Sequence, residues 1–351
     1  MPQSGNLAQM KSTQNTPQGK NAPSDFLNMG SYVLTAILLC GVFLGPTARA
    51  QMTPRFPIKP IHLIIPFPPS GSNDIVGRFI AQKLTERLGQ QIIVENRAGA
   101  DGIIGATLAA SAAADGYTLL EVSTSYSMNP SIHKLPYDPI KSLTAIAMIG
   151  SGANVIAAHP SLPATNTRQL IQIAKANPGQ LRYASSGIGG FNHFGGELFK
   201  HLAKVDIIHV PYKGGGPAMM DVIAGQVEIL FGTITQTIPF IRTEKLKVLG
   251  LGNLKRSSLL PNVPTVSESG IPGYDCSIWW GILGPTGIAT DIINKLNAEI
   301  AAILRDPEAA KRLQNEGAEP SILTPDEFNK FIVQDINKWR NVAQQAKIIS
   351  N

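Results

Sequence analysis

Cysteine is scarce in this sequence. Two cysteines occur among its 351 residues, Cys40 and Cys276. Because Cys40 lies in an amino-terminal segment that we expect to be removed, the mature chain keeps Cys276 alone and can form no intramolecular disulfide. A chain of about 300 residues can bury enough apolar surface to fold without such bonds. We therefore expect Cys276 to be a small buried residue of the core.

Long runs of like charge are also missing. Beyond residue 50 the chain carries 27 basic and 23 acidic residues, a net charge of +4. The basic residues form neither a cluster nor a stripe interleaved with aromatic residues. Such a charge pattern argues against a nucleic-acid partner and is compatible with an anionic ligand.

Motifs typical of enzymes and of metal sites are absent from the sequence. It contains no H-E-x-x-H, G-x-S-x-G or P-loop pattern. The glycine-rich segment Ser185–Gly190 lacks the first glycine of a nucleophile elbow. His193 and His201 are separated by about two helical turns on one predicted helix, which is too far for one metal ion. We therefore predict no catalytic residues, no cofactor and no metal.

The amino terminus contains an uncharged apolar run. This run, residues 31–44 (SYVLTAILLCGVFL), is broken by residues 45–46 (GP) and followed by residues 48–50 (ARA), the small-x-small pattern that signal peptidase recognises. The run is shorter than the roughly 20 residues of an ordinary membrane span. We predict a signal peptide over residues 1–50, cleaved near Ala50, and export to the periplasm. An uncleaved membrane anchor is the alternative.

The remainder of the chain alternates between strand and helix patterns. Such alternation favours a parallel sheet with helices on both faces. The tail beyond Cys276 is mostly helical and has too few strands for a third domain, so we expect it to return to the first one. A capping-box pattern at Thr324–Glu327 predicts the start of the last helix. The predicted strands are residues 61–66, 91–95, 117–122, 155–158, 181–184, 207–210, 227–231 and 246–251.

Three turns follow predicted strands and are rich in small polar residues. They are Phe67–Asp74, Ser123–Ser127 and Ser185–Gly190. In open α/β sheets, ligands bind beyond the carboxyl ends of the strands, and a helix that starts there presents unpaired N–H groups and a positive dipole end. A carboxylate can bind at such a place without an arginine. The alternative is that these segments are only turns and that Asp74 is only a helix cap.

Six segments of the chain carry motifs typical of one known family. They are residues 65–69 (IPFPP), 94–100 (VENRAGA), 183–187 (YASSG), 209–218 (HVPYKGGGPA), 224–227 (AGQV) and 261–273 (PNVPTVSESGIPG). With these motifs in order over residues 57–345, the sequence resembles the receptors of tripartite tricarboxylate transporters, also called Bug or TctC-like binding proteins.

The resemblance implies a two-lobed periplasmic binding protein of the α/β class, type II-like. Each lobe is expected to be a mixed sheet flanked by helices, with two crossover segments near 149–154 and 275–279. Residues 51–152 and 276–351 would form lobe 1, and residues 153–275 would form lobe 2. The implied function is capture of a small organic acid in the cleft between the lobes, by a monomer that serves a pair of small and large membrane permease subunits.

The resemblance and the turns together predict the ligand-binding residues. In lobe 1 they are Phe67, Pro68, Ser70, Gly71, Ser72, Asn73, Asp74, Thr124 and Ser125. In lobe 2 they are Ser185, Ser186, Gly187, Ile188, Gly189, His193, Tyr212 and Thr233.

Two departures from the family pattern bear on the ligand. Ser70 stands where many relatives carry glycine, which adds a hydroxyl at the mouth of the site. Gly232 follows Phe231 where relatives commonly carry aspartate, so a partner for a ligand ammonium group is lost. We therefore expect a plain organic acid in preference to an amino acid. Two other functions remain as alternatives: a ligand-sensing partner of a membrane signalling system, and an exported hydrolase.

Overall fold

The computed structural model of the protein describes residues 56–348. The predicted signal peptide and its cleavage site lie outside this range. The strands are β1 (Ile61–Ile65), β2 (Ile92–Asn96), β3 (Thr118–Ser123), β4 (Leu143–Ala158), β5 (Arg182–Ser185), β6 (Ile208–Pro211), β7 (Ile229–Thr233), β8 (Lys247–Leu251), β9 (Ser277–Pro285) and β10 (Glu319–Pro320). The helices are α1 (Ser72–Leu88), α2 (Ile103–Ala110), α3 (Thr124–Met128), α4 (Thr167–Ala176), α5 (Phe191–Ala203), α6 (Gly215–Ile223), α7 (Ile234–Arg242), α8 (Thr290–Arg305), α9 (Pro307–Asn315) and α10 (Pro325–Gln345).

The first sheet combines parallel and antiparallel pairs. β1 lies between β2 and β3 and is parallel to both, with Leu63 opposite Val94 on one side and Leu119 on the other. β9 then pairs antiparallel with β3, and β4 pairs antiparallel with β9. The short β10 adds to β4. The carboxyl-terminal tail thus returns to the first sheet, as the sequence predicted.

The second sheet is built in a similar way. β7 pairs antiparallel with β4, β5 pairs parallel with β7, and β6 pairs parallel with β5. β8 also pairs antiparallel with β4. The alternation in the sequence correctly predicted the parallel pairs. It was wrong for the whole sheets, because β4 and β9 enter them in the opposite direction.

β4 belongs to both sheets. Residues from Leu143 to Ala153 pair with β9, and residues from Asn154 to Ala158 pair with β7. The second connection between the sheets is held by the Cys276 N–H, which donates to the Gly252 carbonyl at 2.6 Å. The molecule therefore has two lobes joined at β4 and at the entry to β9, the architecture of a two-lobed periplasmic binding protein.

Aromatic residues fill the core near this junction. Trp280, Trp339 and Phe194 are fully buried, and the rings of Phe194 and Trp339 meet edge to face at 5.7 Å between centroids. Trp279 packs edge to face on Phe328. Cys276 is buried as predicted, and burial raises the pKa of its thiol.

α6 has a proline within its first turn. The helix begins at Gly215, and Pro217 is its third residue. A proline is tolerated there because the N–H at this position of a helix also lacks an intrahelical acceptor.

Among the described residues, no helix combines the length and the hydropathy needed to cross a membrane.

Candidate ligand-binding site between the two lobes

A cavity of about 30 Å³ lies where the carboxyl ends of β1, β3, β5 and β7 meet. It has room for only one or two water-sized groups. Both lobes contribute to its wall. The lining residues are Phe67, Pro68, Gly71, Ser72, Asn73, Ser123, Ser125, Ser186, Phe191, Asn192, Gly215, Gly216, Thr233, Gln236 and Ile278.

The first helix start at this cavity belongs to α1 in lobe 1. Its N-cap residue is Gly71, whose backbone is extended at φ −82° and ψ 168°. Ser72 and Asn73, the first two helical residues, are each 7% exposed and line the cavity.

The second helix start belongs to α5 in lobe 2. Its N-cap, Gly190, has nearly the same extended backbone, with φ −77° and ψ 166°. The first two helical residues, Phe191 and Asn192, line the cavity. The Phe191 N–H donates to the Ser125 hydroxyl of lobe 1 at 3.1 Å, so the two lobes are in direct contact here.

The third helix start belongs to α6, also in lobe 2. Its N-cap, Gly214, has φ 115° and ψ 165°, a conformation that essentially only glycine adopts. The Gly214 N–H donates to the Ser186 carbonyl at 3.0 Å, which fixes this turn against the turn after β5. Gly215 and Gly216 then line the cavity.

Glycine at these three N-caps has a chemical consequence. The first N–H groups of a helix have no acceptor within the helix, and a Ser, Thr, Asn or Asp side chain at the N-cap usually accepts from one of them. Glycine has no side chain with which to accept. The three helix starts therefore direct N–H groups without an intrahelical acceptor, and positive dipole ends, at one cavity, an arrangement suited to an anion. The Phe191 N–H is already bonded to Ser125, and Pro217 in the first turn of α6 has no N–H.

Two further polar side chains position the wall. The Thr233 hydroxyl accepts from the Gln236 N–H at 3.2 Å and caps α7. The Gln236 side-chain amide donates to the Gly215 carbonyl, so α7 supports the start of α6. Thr124 also has a structural partner, because its hydroxyl accepts from the Trp279 N–H at 2.9 Å.

The cleft is closed in this structure. Pro68 of lobe 1 packs on Gly214 of lobe 2 so closely that a Cβ on Gly214 would lie 2.9 Å from Pro68 Cγ. A Cβ on Gly189 would likewise lie 2.7 Å from His133 Nε2 of lobe 1. These contacts hold the facing turns of the two lobes close together.

A larger pocket adjoins the cavity on the same interlobe surface. We call it the outer pocket and the smaller one the inner cavity. The outer pocket has a volume of about 430 Å³. Its lining residues are Phe67, Pro68, Ala98, Gly99, Ala100, Asp101, Gly102, Ser186, Gly187, Ile188, Tyr212, Lys213 and Gly214. Phe67, Pro68 and Ser186 line both spaces.

The residues predicted from sequence fall into three groups. The inner cavity is lined by Phe67, Pro68, Gly71, Ser72, Asn73, Ser125, Ser186 and Thr233. The outer pocket adds Gly187, Ile188 and Tyr212. The lining of either space does not include Ser70, Asp74, Thr124, Ser185, Gly189 or His193.

The residues of the third group support the turns. Asp74 accepts from the Ser70 N–H at 3.0 Å and from the Arg78 guanidinium at 2.8 Å. Burial alone would raise the pKa of Asp74, but these hydrogen bonds and one from Asn96 hold it below its ordinary value. His193 accepts from the Gly189 N–H at 3.1 Å, which shapes the turn before α5.

Other residues of the wall were not predicted. Phe191, Asn192, Gly215, Gly216, Gln236 and Ile278 line the inner cavity. The glycine run at 214–216 was a visible signal, since it follows a strand and opens a helix as the other two turns do. Gln236 and Ile278 give no local signal, because only the tertiary fold brings them here.

A buried glutamate lies behind the inner cavity. Glu121 of β3 is fully buried, and the Asn73 side-chain amide donates to both of its oxygens, at 2.9 and 3.2 Å. Burial raises the pKa of Glu121 well above its ordinary value, and the nearby Asp74 charge raises it further. This contact fixes the orientation of Asn73 at the cavity wall.

Comparison with known proteins identifies the family. The sequence profile described as "Tripartite tricarboxylate transporter family receptor" matches residues 76–348. The chain belongs to this family. Protein BugT of Bordetella pertussis is similar to it, with 35% identity over 318 residues that cover 88% of this chain and 97% of BugT. The resemblance noted in the sequence is thus confirmed.

Solved structures agree with this assignment. R. palustris Rpa4515 with adipate has 32% identity and a TM-score of 0.82, covering 84% of this chain and 99% of that one. Periplasmic binding protein BugD has 31% identity and a TM-score of 0.80, covering 84% and 100%. MatC from Rhodopseudomonas palustris with bound malate has 29% identity and a TM-score of 0.78, covering 82% and 99%. The chain is a solute-binding receptor of a periplasmic family and not an enzyme.

Proposed function

We propose that this receptor captures a small organic acid by holding its carboxylate at the starts of α1, α5 and α6. The observation that carries the proposal is that all three helices have glycine N-caps and open on one inner cavity. Backbone N–H groups there can donate to a carboxylate, and the three helix dipoles favour its charge.

The size of the two spaces supports a division of the ligand between them. The inner cavity, at about 30 Å³, has room for a carboxylate group and not for a whole organic acid. The outer pocket, at about 430 Å³, can hold the remainder. The structures with adipate and with malate show that similar receptors accept acids of this kind.

Closure of the two lobes would couple binding to transport. Open and closed forms exchange, and a ligand that contacts both lobes favours the closed form. The hinge would lie near 149–154, where β4 passes from one sheet to the other, and near 275–279. Residues 51–152 with 276–351 would move as lobe 1, and residues 153–275 as lobe 2.

Membership of the family supports a proposal about the cellular context. We propose that residues 1–50 direct export and are removed, that the mature chain is a monomer, and that its partners are the small and large permease subunits of a tripartite transporter. The predicted site residues that line the inner cavity or the outer pocket would contact the ligand directly. The other predicted site residues would support the turns that do so.

Ser72→Pro tests the proposal at a single N–H group. Ser72 is the first residue of α1, and proline is favoured at this position because its φ suits the helix. The chain already begins α9 and α10 with Pro307 and Pro325. Gly71 before it is extended, as a residue before proline should be. The substitution therefore removes one donor and leaves the helix intact.

The experiment is calorimetric titration with adipate, malate and citrate, after native mass spectrometry of the purified protein for any bound acid. We expect Ser72→Pro to weaken binding by about 10- to 100-fold, the value of one charge-assisted hydrogen bond. Ser72→Ala controls for loss of the hydroxyl, and Thr290→Pro controls for proline at the exposed start of α8. Equal affinity of wild type and Ser72→Pro would overturn the proposal.

A further inference from the structure

Asp101 has an unusual backbone for a residue other than glycine. It lies in a short 3₁₀ turn, Ala100–Gly102, with φ 50° and ψ 41°. Aspartate tolerates this left-handed region better than most residues, but still at some cost. Glycines on both sides, Gly99 and Gly102, also have positive φ. Asp101 is one of the residues that line the outer pocket.

The Asp101 carboxyl group is buried without a partner. The residue keeps some exposed surface, but both carboxyl oxygens are buried and neither has a hydrogen-bond partner. Within residues 56–348, none of the ion pairs involves Asp101. Burial raises its pKa to about 7, an effect that the nearby Ser125 hydroxyl reduces. An unpaired buried carboxylate is costly, so a group that pairs with it on closure would be strongly favoured.

The position of Asp101 relates it to the ligand. A Cβ placed on Gly190, the N-cap of α5, would lie 2.7 and 3.1 Å from the two Asp101 oxygens and 2.9 Å from the Ser186 hydroxyl. Ser186 lines both the inner cavity and the outer pocket. A ligand with its carboxylate at the start of α5 therefore places its adjoining atoms beside Asp101.

The ligand carboxylate would then lie close to the Asp101 carboxylate, which has the same charge. The ligand carboxylate and the Asp101 carboxylate repel each other in a closed cleft, where the charges are poorly screened. A positive group on the ligand between them removes the repulsion and satisfies the buried oxygens. A hydroxyl group could donate a hydrogen bond but would leave the net negative charge in place.

We propose that Asp101 binds an ammonium group of the ligand and makes the receptor selective for acids that carry an amino group near the carboxylate. The inference rests on the proposed function, since it assumes a carboxylate at the helix starts. It makes Asp101 a specificity-determining residue of lobe 1 that reaches the α5 turn of lobe 2.

The structure also weakens the argument against amino acids that was drawn from Gly232. A Cβ on Gly232 would meet the side chains of Leu230 and Thr237, at 3.1 and 3.2 Å. Gly232 does not line the inner cavity or the outer pocket. A side chain at position 232 would thus start among Leu230 and Thr237, away from the lining of both spaces, and its absence is weak evidence against an ammonium group.

The test compares acids that share a carbon skeleton. Calorimetric titration of the full mature chain would use succinate, malate and aspartate as one series, and adipate and 2-aminoadipate as a second. Asp101→Asn keeps the shape of the side chain and suits a left-handed backbone. Asp101→Gly removes the side chain without backbone strain. Asp115→Asn is the matched control, because Asp115 is an exposed carboxylate of the same lobe, bonded to Lys59.

We expect the amino acid of at least one series to bind wild type and Asp115→Asn at least tenfold more tightly than the unsubstituted acid. In Asp101→Asn and Asp101→Gly this ratio should fall to about one, while the unsubstituted acid binds as well or better. Binding of the unsubstituted or hydroxy acid with no preference for the amino acid would overturn the inference and leave the proposed function standing. If no acid binds and none is found bound after purification, both fail.

Discussion

The helix starts at the cleft differ from those on the outside of the molecule. At the cleft, α1, α5 and α6 begin after Gly71, Gly190 and Gly214. Away from it, α4, α9 and α10 have N-caps whose side chains accept from backbone N–H groups. These outer caps are Asn166, Asp306 and Thr324.

The two kinds of helix start differ in what their first N–H groups can do: a side-chain cap stabilises the helix, whereas an uncapped start can donate to a ligand. A side-chain cap contributes about 1 kcal/mol to a helix, and α4, α9 and α10 have one, whereas α8 starts after Ala289 without one. α1, α5 and α6 also lack such a cap, and under the proposed function this leaves amides of their first turns available to the ligand. Thr233 is an exception at the cleft, because its hydroxyl caps α7, and α7 supports the wall through Gln236. In this structure, the glycine N-caps of α1, α5 and α6 therefore mark helix starts that face the inner cavity.

The largest effect on ligand affinity should come from replacing the glycine N-cap of a cleft helix with a residue whose side chain can cap the helix. Gly71→Asp fits the backbone, since Gly71 is extended and a Cβ would meet only the Pro68 carbonyl, at 3.8 Å. The new carboxylate would accept from the first amides of α1 and place a negative charge at the cavity. We expect ligand affinity, measured by calorimetry, to fall by more than about 100-fold through charge repulsion and loss of donors.

The melting temperature distinguishes this result from misfolding. Asp is a better N-cap than Gly by a few tenths of a kcal/mol, so Gly71→Asp should melt at or slightly above the temperature of wild type. Gly71→Ala, which adds no acceptor, should retain most of the affinity. Tight binding by Gly71→Asp would contradict the assignment of α1 to the ligand.

A smaller effect, on stability alone, should come from removing an outer cap. Thr324 is exposed and forms a capping box with Glu327 at the start of α10. Thr324→Ala removes that acceptor and should lower the free energy of unfolding by about 1 kcal/mol. Denaturant unfolding measures this loss, and titration should show unchanged affinity. A weaker ligand affinity in this variant would mean that the cleft and outer helices are not independent.

The smallest effect should be a pH dependence that belongs to the cleft. The pKa of Asp101 is raised to about 7 in the folded chain. Its favourable contribution to the free energy of unfolding is therefore fully present below about pH 4 and is lost as the pH rises through 7. His193 and His209 act in the opposite sense, since burial lowers the pKa of both. The contribution of these two histidines to the free energy of unfolding is present above about pH 6.5 and is lost as the pH falls below that value.

The difference between wild type and Asp101→Asn isolates the aspartate. Without ligand, the melting temperature of wild type relative to the variant should decrease by a few degrees between pH 5 and pH 8. The change is small because opening of the cleft hydrates the carboxylate without unfolding the protein. A constant difference across this range would show that Asp101 is not buried in the free protein.

Local patterns in the sequence were enough for much of this fold. The capping box at Thr324 is present as predicted, and the turns at 67–74 and 185–190 both reach the inner cavity or the outer pocket. Caps and turns of this kind can be predicted because strand ends, glycines and small polar residues form patterns over a few consecutive residues.

Features that depend on distant partners could not be predicted in this way. Residues 143–154 of β4 and the whole of β9 were not assigned as strands. These two segments pair with each other although they are far apart in the sequence, so local patterns do not reveal the pairing. Asp101 was not among the site residues predicted from the sequence. Its significance comes from the closed cleft, where Gly190 of the other lobe covers its carboxyl group.

The small volume of the inner cavity has a consequence for engineering. Under the proposed function, that space admits little more than an acid group and would serve unrelated compounds that share only this group. Discrimination among them falls to the wall of the outer pocket, where Ala98, Ile188 and Tyr212 are side chains that can be exchanged. A library confined to these three positions should redirect the receptor to new acids while its hold on the carboxylate stays intact.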